Sequence, residues 1–123
     1  MVNYLLVSAG AAIGGAARYW LSDFVYKFLP ENFPYGTLTV NIIGSIILGV
    51  VIYLFDSKEL ISPGLKLFLT IGFCGGFTTF STFSLETINL IRNSEYLFAS
   101  LNILSSLILC LVAVFVVSVI GNC

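Results

Sequence analysis

Four long stretches of this chain contain no Asp, Glu, Lys or Arg: residues 1–17, 36–55, 67–85 and 96–123. At ~1.5 Å of rise per residue, a run of that length wound as a helix matches the ~30 Å hydrocarbon core of a bilayer. Backbone amides and carbonyls cannot be left unpaired in lipid, so such runs read as helices. The spacing predicts helices over 3–26, 35–56, 64–92 and 96–121 and a single four-helix transmembrane domain over 1–123. Composition agrees. Hydrophobic residues make up 59% of the 123 positions and charged residues 9%, too few to coat a soluble domain of this size.

The connections are short and hold five of the eleven charged residues and all three prolines: Pro30 to Pro34, Asp56 to Pro63, and Asn93 to Glu95. The first run has no basic n-region and continues to Arg18 and Trp20, so a helix is expected there rather than a signal peptide. No basic stretch points to nucleic acid or to a polybasic lipid anchor. Three cysteines without a C-x-x-C pattern favour neither a disulfide frame nor a metal cage. Histidine, the commonest proton shuttle and metal ligand, is absent. Together with the lack of a nucleophile–base pairing, this argues against an enzyme.

Four crossings would put Lys58 and Lys66 on one side of the membrane and Arg18, Lys27 and Arg92 on the other. Orientation follows a lysine and arginine bias, and two against three is almost none. Either a partner fixes the orientation or the chain inserts both ways. Insertion both ways would build an antiparallel homodimer, an inverted repeat made of two copies. The first helix carries a small-residue seam, Gly10-x-x-x-Gly14 with Ala11, Ala12, Gly15 and Ala16, which lets backbones approach closely. That seam serves either packing within the chain or a dimer face.

The chemistry is concentrated in Gly72-Phe73-Cys74-Gly75-Gly76-Phe77-Thr78-Thr79-Phe80-Ser81-Thr82-Phe83-Ser84-Leu85-Glu86. Two glycines followed by two β-branched threonines make a poor continuous helix. A break at membrane depth persists only where it is buried in protein or lines a wet cavity, and transporters use such backbone to hold ions. The alternative is an intact helix with glycines for tight packing. Phe80, Phe83, Ser84 and Thr87 share a helical face, and a phenyl ring has a positive edge suited to an anion. Asn41 and Ser45 share a face of the second helix, where a buried Asn either bonds across helices or faces a polar path. Asn102, Ser106 and Cys110 form a stripe on the fourth, and Ser106 is counted among the candidate pore residues. Arg18 either snorkels or lines a basic mouth, and Glu86 sits towards a vestibule. Neutral donors with basic mouths suit an anion better than a cation.

Over nearly its whole length the chain resembles the Fluc (CrcB-type) fluoride channels. The residues that carry the resemblance are Gly10 to Tyr19 (GAAIGGAARY), Gly36 to Asn41 with Gly44-Ser45, and above all Gly72 to Glu86 (GFCGGFTTFSTFSLE). It implies an antiparallel, dual-topology homodimer in the cell's inner (plasma) membrane, surrounded by lipid, with two pores and a sodium ion at the dimer centre. Fluoride would leave the cytoplasm passively. By position, Asn41 resembles a pore-lining donor, Phe80 and Phe83 the aromatic pair, and Ser81, Thr82 and Ser84 hydroxyl donors beside it. Backbone carbonyls of Gly75 and Thr78 resemble the sodium cage, Arg18 the basic residue of the first helix and Glu86 the acid at the end of the hydroxyl track. Some members of that family have Tyr where this chain has Asn102.

Two other functions fit a small helical membrane protein. A proton-coupled drug exporter needs a titratable carboxylate at mid-membrane, and Glu86 is displaced from it. A non-transporting assembly subunit would use the polar stripes as helix glue.

Overall fold

The computed structural model describes residues 1–122, and these are helical with short connections. Helix α1 covers Val2–Val25 and ends in turns in which Lys27 N–H donates to Phe24 O and Phe28 N–H to Val25 O. Pro30 then supplies no amide to extend it. Helix α2 begins at Tyr35 and runs through Tyr35–Gly49, widens into π-type turns over Val50–Phe55 and tightens at Asp56–Lys58. Its end is turned by Glu59, in the left-handed region at φ 56°, while Leu60 N–H closes onto Phe55 O at 2.9 Å.

Helix α3 (63–77) starts with Pro63 in its first turn, where the missing amide costs nothing, and the Ser62 side chain accepts from Leu65 N–H. It passes through wider turns at Phe68–Cys74 to the short segment Gly75–Phe77. Thr78 (φ −88°, ψ 160°) and Thr79 (φ −152°, ψ 123°) are extended. Helix α4 then covers Phe80–Arg92 and α5 covers Tyr96–Gly121. Ser94 at φ 62° turns the chain between them, with Glu95 N–H on Leu90 O at 2.8 Å.

Backbone contact between α1 and α3 is the closest in the molecule. A Cβ on Gly10 would lie 2.5 Å from Phe68 O, one on Gly76 would lie 2.5 Å from Ala11 O, and one on Gly14 would run into Phe73 O. The Gly10-x-x-x-Gly14 seam is therefore an intrachain contact, answered on α3 by Gly72 and Gly76. Gly15, one step round α1, meets nothing within 4 Å and faces outward. On the other flank α2 packs on α5, where a Cβ on Gly49 would lie 3.2 Å from Val117 and one on Gly121 would lie 2.6 Å from Tyr53 O. Asn102 of α5 is buried and its Nδ2 donates to Thr87 Oγ1 of α4 at 2.9 Å.

Most of the large apolar side chains cover the outside. Leu104, Ile108, Leu111 and Phe115 on α5 and Trp20 and Phe24 on α1 are exposed, while the interior includes Val40, Val51, Phe77, Ala99 and the buried glycines Gly10, Gly14, Gly44 and Gly49. Such a surface needs lipid or protein against it. Among the described residues, three helical stretches are long and apolar enough to cross a membrane: Tyr35–Lys58, Pro63–Arg92 and Tyr96–Gly121. Helix α1 is long enough at 24 residues, but its glycines and alanines, with Arg18 and Asp23, make it less apolar than those three.

Candidate functional site

The site is organised by the two extended threonines. The glycines Gly75 and Gly76 stay helical, and the chain leaves the helix two residues later. β-Branched side chains favour extended backbone, and Thr79 makes the exit productive by capping α4: its Oγ1 accepts from Thr82 N–H at 3.2 Å. Asn41 holds the same residue from α2. Its Nδ2 donates to Thr79 O at 3.0 Å, and its Oδ1 accepts from Thr79 N–H at 2.8 Å. Arg18 reaches in from α1, with Nε donating to Gly76 O at 3.2 Å.

Two carbonyls lose their ordinary helical donors in this way. In a continuous helix Gly75 O would take the amide of Thr79, which is given to Asn41. Thr78 O would take the amide of Thr82, which is given to Thr79 Oγ1. Gly75 is exposed, with nothing within 4 Å of the position a Cβ would occupy.

Beside the extended residues lies a cavity of about 430 Å³, lined among others by Asn41, Ser45, Thr79, Phe80, Phe83 and Ser106. No Asp, Glu, Lys or Arg lines it. Phe80 and Phe83 sit with ring centroids 5.5 Å apart and planes tilted by 43°, and Phe80 is largely exposed. Ser106 is buried and its Oγ has no hydrogen-bond partner. Gly75 and Thr78 also border this space.

The remaining candidates lie elsewhere in the chain. Ser81 and Thr82 turn their hydroxyls to Thr79 Oγ1, at 3.3 and 3.2 Å, and Ser84 Oγ donates to Phe80 O at 3.0 Å. None of the three lines the cavity. Thr87, on the same predicted face as Phe80, is buried against Asn102, so that stripe divides between an exposed aromatic and an interhelical hydrogen bond. Glu86 borders a second cavity of about 280 Å³ with Tyr26, Glu31, Asn89 and Glu95, and its Oε1 is buried without a partner. Thr70, Cys74 and Thr79 line the larger cavity without having been expected to. For Thr79 a signal exists, a threonine placed to cap the polar-rich helix that follows. For Thr70 and Cys74 there is none, because the wide turns at Phe68–Cys74 shift their faces from the 3.6-residue period.

The sequence profile described as "CrcB-like protein, Camphor Resistance (CrcB)" matches residues 5–118. The chain belongs to the CrcB-like family. It is 48% identical over 116 residues to a protein of Magnetococcus marinus, covering 94% of each chain. It is 46% identical over 112 residues to one of Geotalea daltonii, covering 91% of this chain and 90% of the other. A protein of Geobacter sulfurreducens is 47% identical over 112 residues, with the same coverage. Each of these relatives is named "Fluoride-specific ion channel FluC". With three stretches able to cross a bilayer and this family membership, the chain is a multi-pass integral membrane protein.

Proposed function

We propose that this chain is a passive, fluoride-selective ion channel, not an enzyme, that lets fluoride out of the cytoplasm across the plasma membrane. The observation that carries the reading is the uncharged cavity beside Thr79. An anion stripped of water costs tens of kcal/mol unless new donors replace the lost ones. The lining offers an amide on Asn41, hydroxyls on Ser45 and Ser106 and the rings of Phe80 and Phe83, without a fixed carboxylate to repel an anion or a fixed cation to trap it. Fluoride is the smallest halide and the strongest hydrogen-bond acceptor among them, so closely set donors favour it over chloride. The names of the relatives point the same way.

In the working protein, α1 is a fourth crossing, the two extended threonines lie at membrane depth, and two copies pair antiparallel with a pore for each. The near-even distribution of five basic residues supports insertion in both directions. The exposed Gly75 and the half-buried Gly15, each with nothing within 4 Å of a Cβ position, leave space for a second backbone to come close. A sodium ion at the centre would be held by the Gly75 and Thr78 carbonyls of both copies. The donor set fits, because these are the two carbonyls whose helical amides are spent elsewhere. Sodium would supply a fixed positive charge near the anion path, and the chain's own part is to hold those carbonyls free of other donors.

A proton-coupled exporter is disfavoured because no carboxylate lines the cavity. The test is fluoride efflux from proteoliposomes, with chloride as the comparison ion. Rapid fluoride efflux with little chloride movement is expected. Equal rates for the two ions, or no flux, would overturn the reading.

A further inference from the structure

The larger cavity holds something that anion passage does not use. Cys74 from α3 and Cys110 from α5 are 36 residues apart in sequence, yet both line it. Cys74 is buried and its Sγ makes one long contact, 3.8 Å to Gly44 O. Cys110 is half-buried, and neither cysteine is in a disulfide. One turn before Cys110 on α5, Ser106 is 9% exposed, and its Oγ borders the same space with no hydrogen-bond partner. Two free thiols and an unpaired hydroxyl thus converge on one uncharged space of about 430 Å³.

We propose that Cys74 and Cys110 form a binding site for a soft, thiophilic divalent cation of the Hg²⁺ type, with Ser106 Oγ as a weak oxygen neighbour. Thiolate sulfur selects soft metals, and metal binding displaces the thiol proton. On capture by both residues two S–H bonds break, two S–Hg bonds form, and two protons leave to bulk water. No electron is transferred and no other reactant is needed. The product, a dithiolate of a divalent ion, is neutral, which suits a cavity with no charged lining residue. A hard divalent cation has no such option, since it wants several oxygen ligands including carboxylates. The site is occupied from the cavity, so the metal obstructs whatever passes Phe83 and Ser106.

Binding is measured with mercuric nitrate in halide-free buffer on the purified full-length protein carrying Cys123→Ser, which removes the remaining thiol. Metal retained after desalting and the near-ultraviolet sulfur-to-mercury charge-transfer band are both read. One Hg²⁺ per chain is expected, and Cys110→Ala or Cys74→Ala in that background should weaken retention at least tenfold. In proteoliposomes the same metal should slow fluoride efflux at least tenfold. An excess of a small dithiol should restore it, and Cys110→Ala, normalised to its own rate, should be at least tenfold less sensitive. Two Hg²⁺ per chain would mean independent thiols and would overturn the shared site. Tight retention in a variant carrying both Cys74→Ala and Cys110→Ala in that background, or no retention by the unsubstituted pair, would overturn it too. The inhibition arm rests on the fluoride reading, whereas the binding arm does not: a protein that binds one Hg²⁺ but carries no fluoride refutes the channel and leaves the site standing.

Discussion

Asn41 and Thr79 are joined in both directions, the side-chain amide donating to the Thr79 carbonyl and accepting from the Thr79 N–H, at 3.0 and 2.8 Å. The carboxamide therefore does for one extended residue what a neighbouring strand would do. It leaves Asn41 a second N–H, on a side chain that borders the cavity, so support of the backbone and donation to an anion are compatible in a single residue.

Asn41→Asp separates these parts. Asp keeps an acceptor for Thr79 N–H but sets an oxygen against Thr79 O and places negative charge at the cavity wall. Fluoride efflux should fall by at least two orders of magnitude. Asn41→Ser, too short to span both Thr79 groups, should leave one of them unpaired at about 1–3 kcal/mol and keep reduced flux. Normal conduction by the Asp variant would confine Asn41 to a supporting role.

For Phe80 and Phe83 the question is ring edge against bulk. Phe80→Ile and Phe83→Ile retain an apolar side chain and remove the positive ring edge, so each should lower flux at least tenfold while the protein still assembles. Tyrosine keeps the edge and should be milder. Isoleucine and tyrosine variants that both run at near-native rates would show that only bulk matters.

How much of this was legible beforehand depends on the periodicity each residue obeys. The helices follow uncharged runs because a charge is so costly in lipid that its absence marks the span. The run 36–55 lies inside Tyr35–Lys58, and Pro30, Pro34 and Pro63 stand where their missing amides do no harm. The Gly72 to Glu86 block was visible as a place where helix formation weakens. Which residues of that block leave the helix, Thr78 and Thr79, was not, because it depends on Asn41, 38 residues away, taking the Thr79 amide. That Cys74 and Cys110 border one cavity was hidden for a similar reason: the π-type turns at Phe68–Cys74 shift the face on which Cys74 lies.

Gly14 and Gly75 should respond differently to an added side chain. Gly14→Val drives a Cβ into Phe73 O and close to Phe77 N–H. These are backbone atoms that cannot swing away, so a loss at the upper end of ~1–3 kcal/mol is expected. In detergent this should appear as a lower melting temperature. A Cβ at Gly75 meets nothing within 4 Å in its own chain. Gly75→Val should leave helix content and protomer stability near native yet shift the protein from dimer to monomer by cross-linking or single-molecule counting. A stable Gly75→Val dimer would place the interface elsewhere.

Orientation provides a separate test of pairing. Ser57 and Leu60 are exposed in the connection after α2, and Ser57→Lys with Leu60→Lys raises the count on that side from two to four. Insertion should become one-sided and efflux should fall, because parallel copies cannot form the antiparallel pair. A second copy biased the opposite way should restore efflux on co-expression. A wild-type reporter found in one orientation only would end the dual-topology reading.

The proposed central sodium rests on which donors are spent. The Thr79 and Thr82 amides go to Asn41 Oδ1 and Thr79 Oγ1, which leaves the Gly75 and Thr78 carbonyls without the helical partners they would have in a straight helix. In the proposed antiparallel pair four such oxygens would come together, all neutral. A monovalent cation offsets their desolvated dipoles, whereas Ca²⁺ usually takes more ligands, carboxylates among them. Because backbone atoms bind, trimming Thr78 to Ala should weaken the site only slightly. Releasing the Thr79 amide with Asn41→Ala should weaken it more, by returning a competing donor to Gly75 O. The readout is the sodium dependence of fluoride efflux: the half-activating sodium concentration should rise at least tenfold in Asn41→Ala and less than threefold in Thr78→Ala. Efflux that persists unchanged when sodium is fully replaced by a bulky organic cation, with its removal verified by elemental analysis, would show that the freed carbonyls serve another purpose.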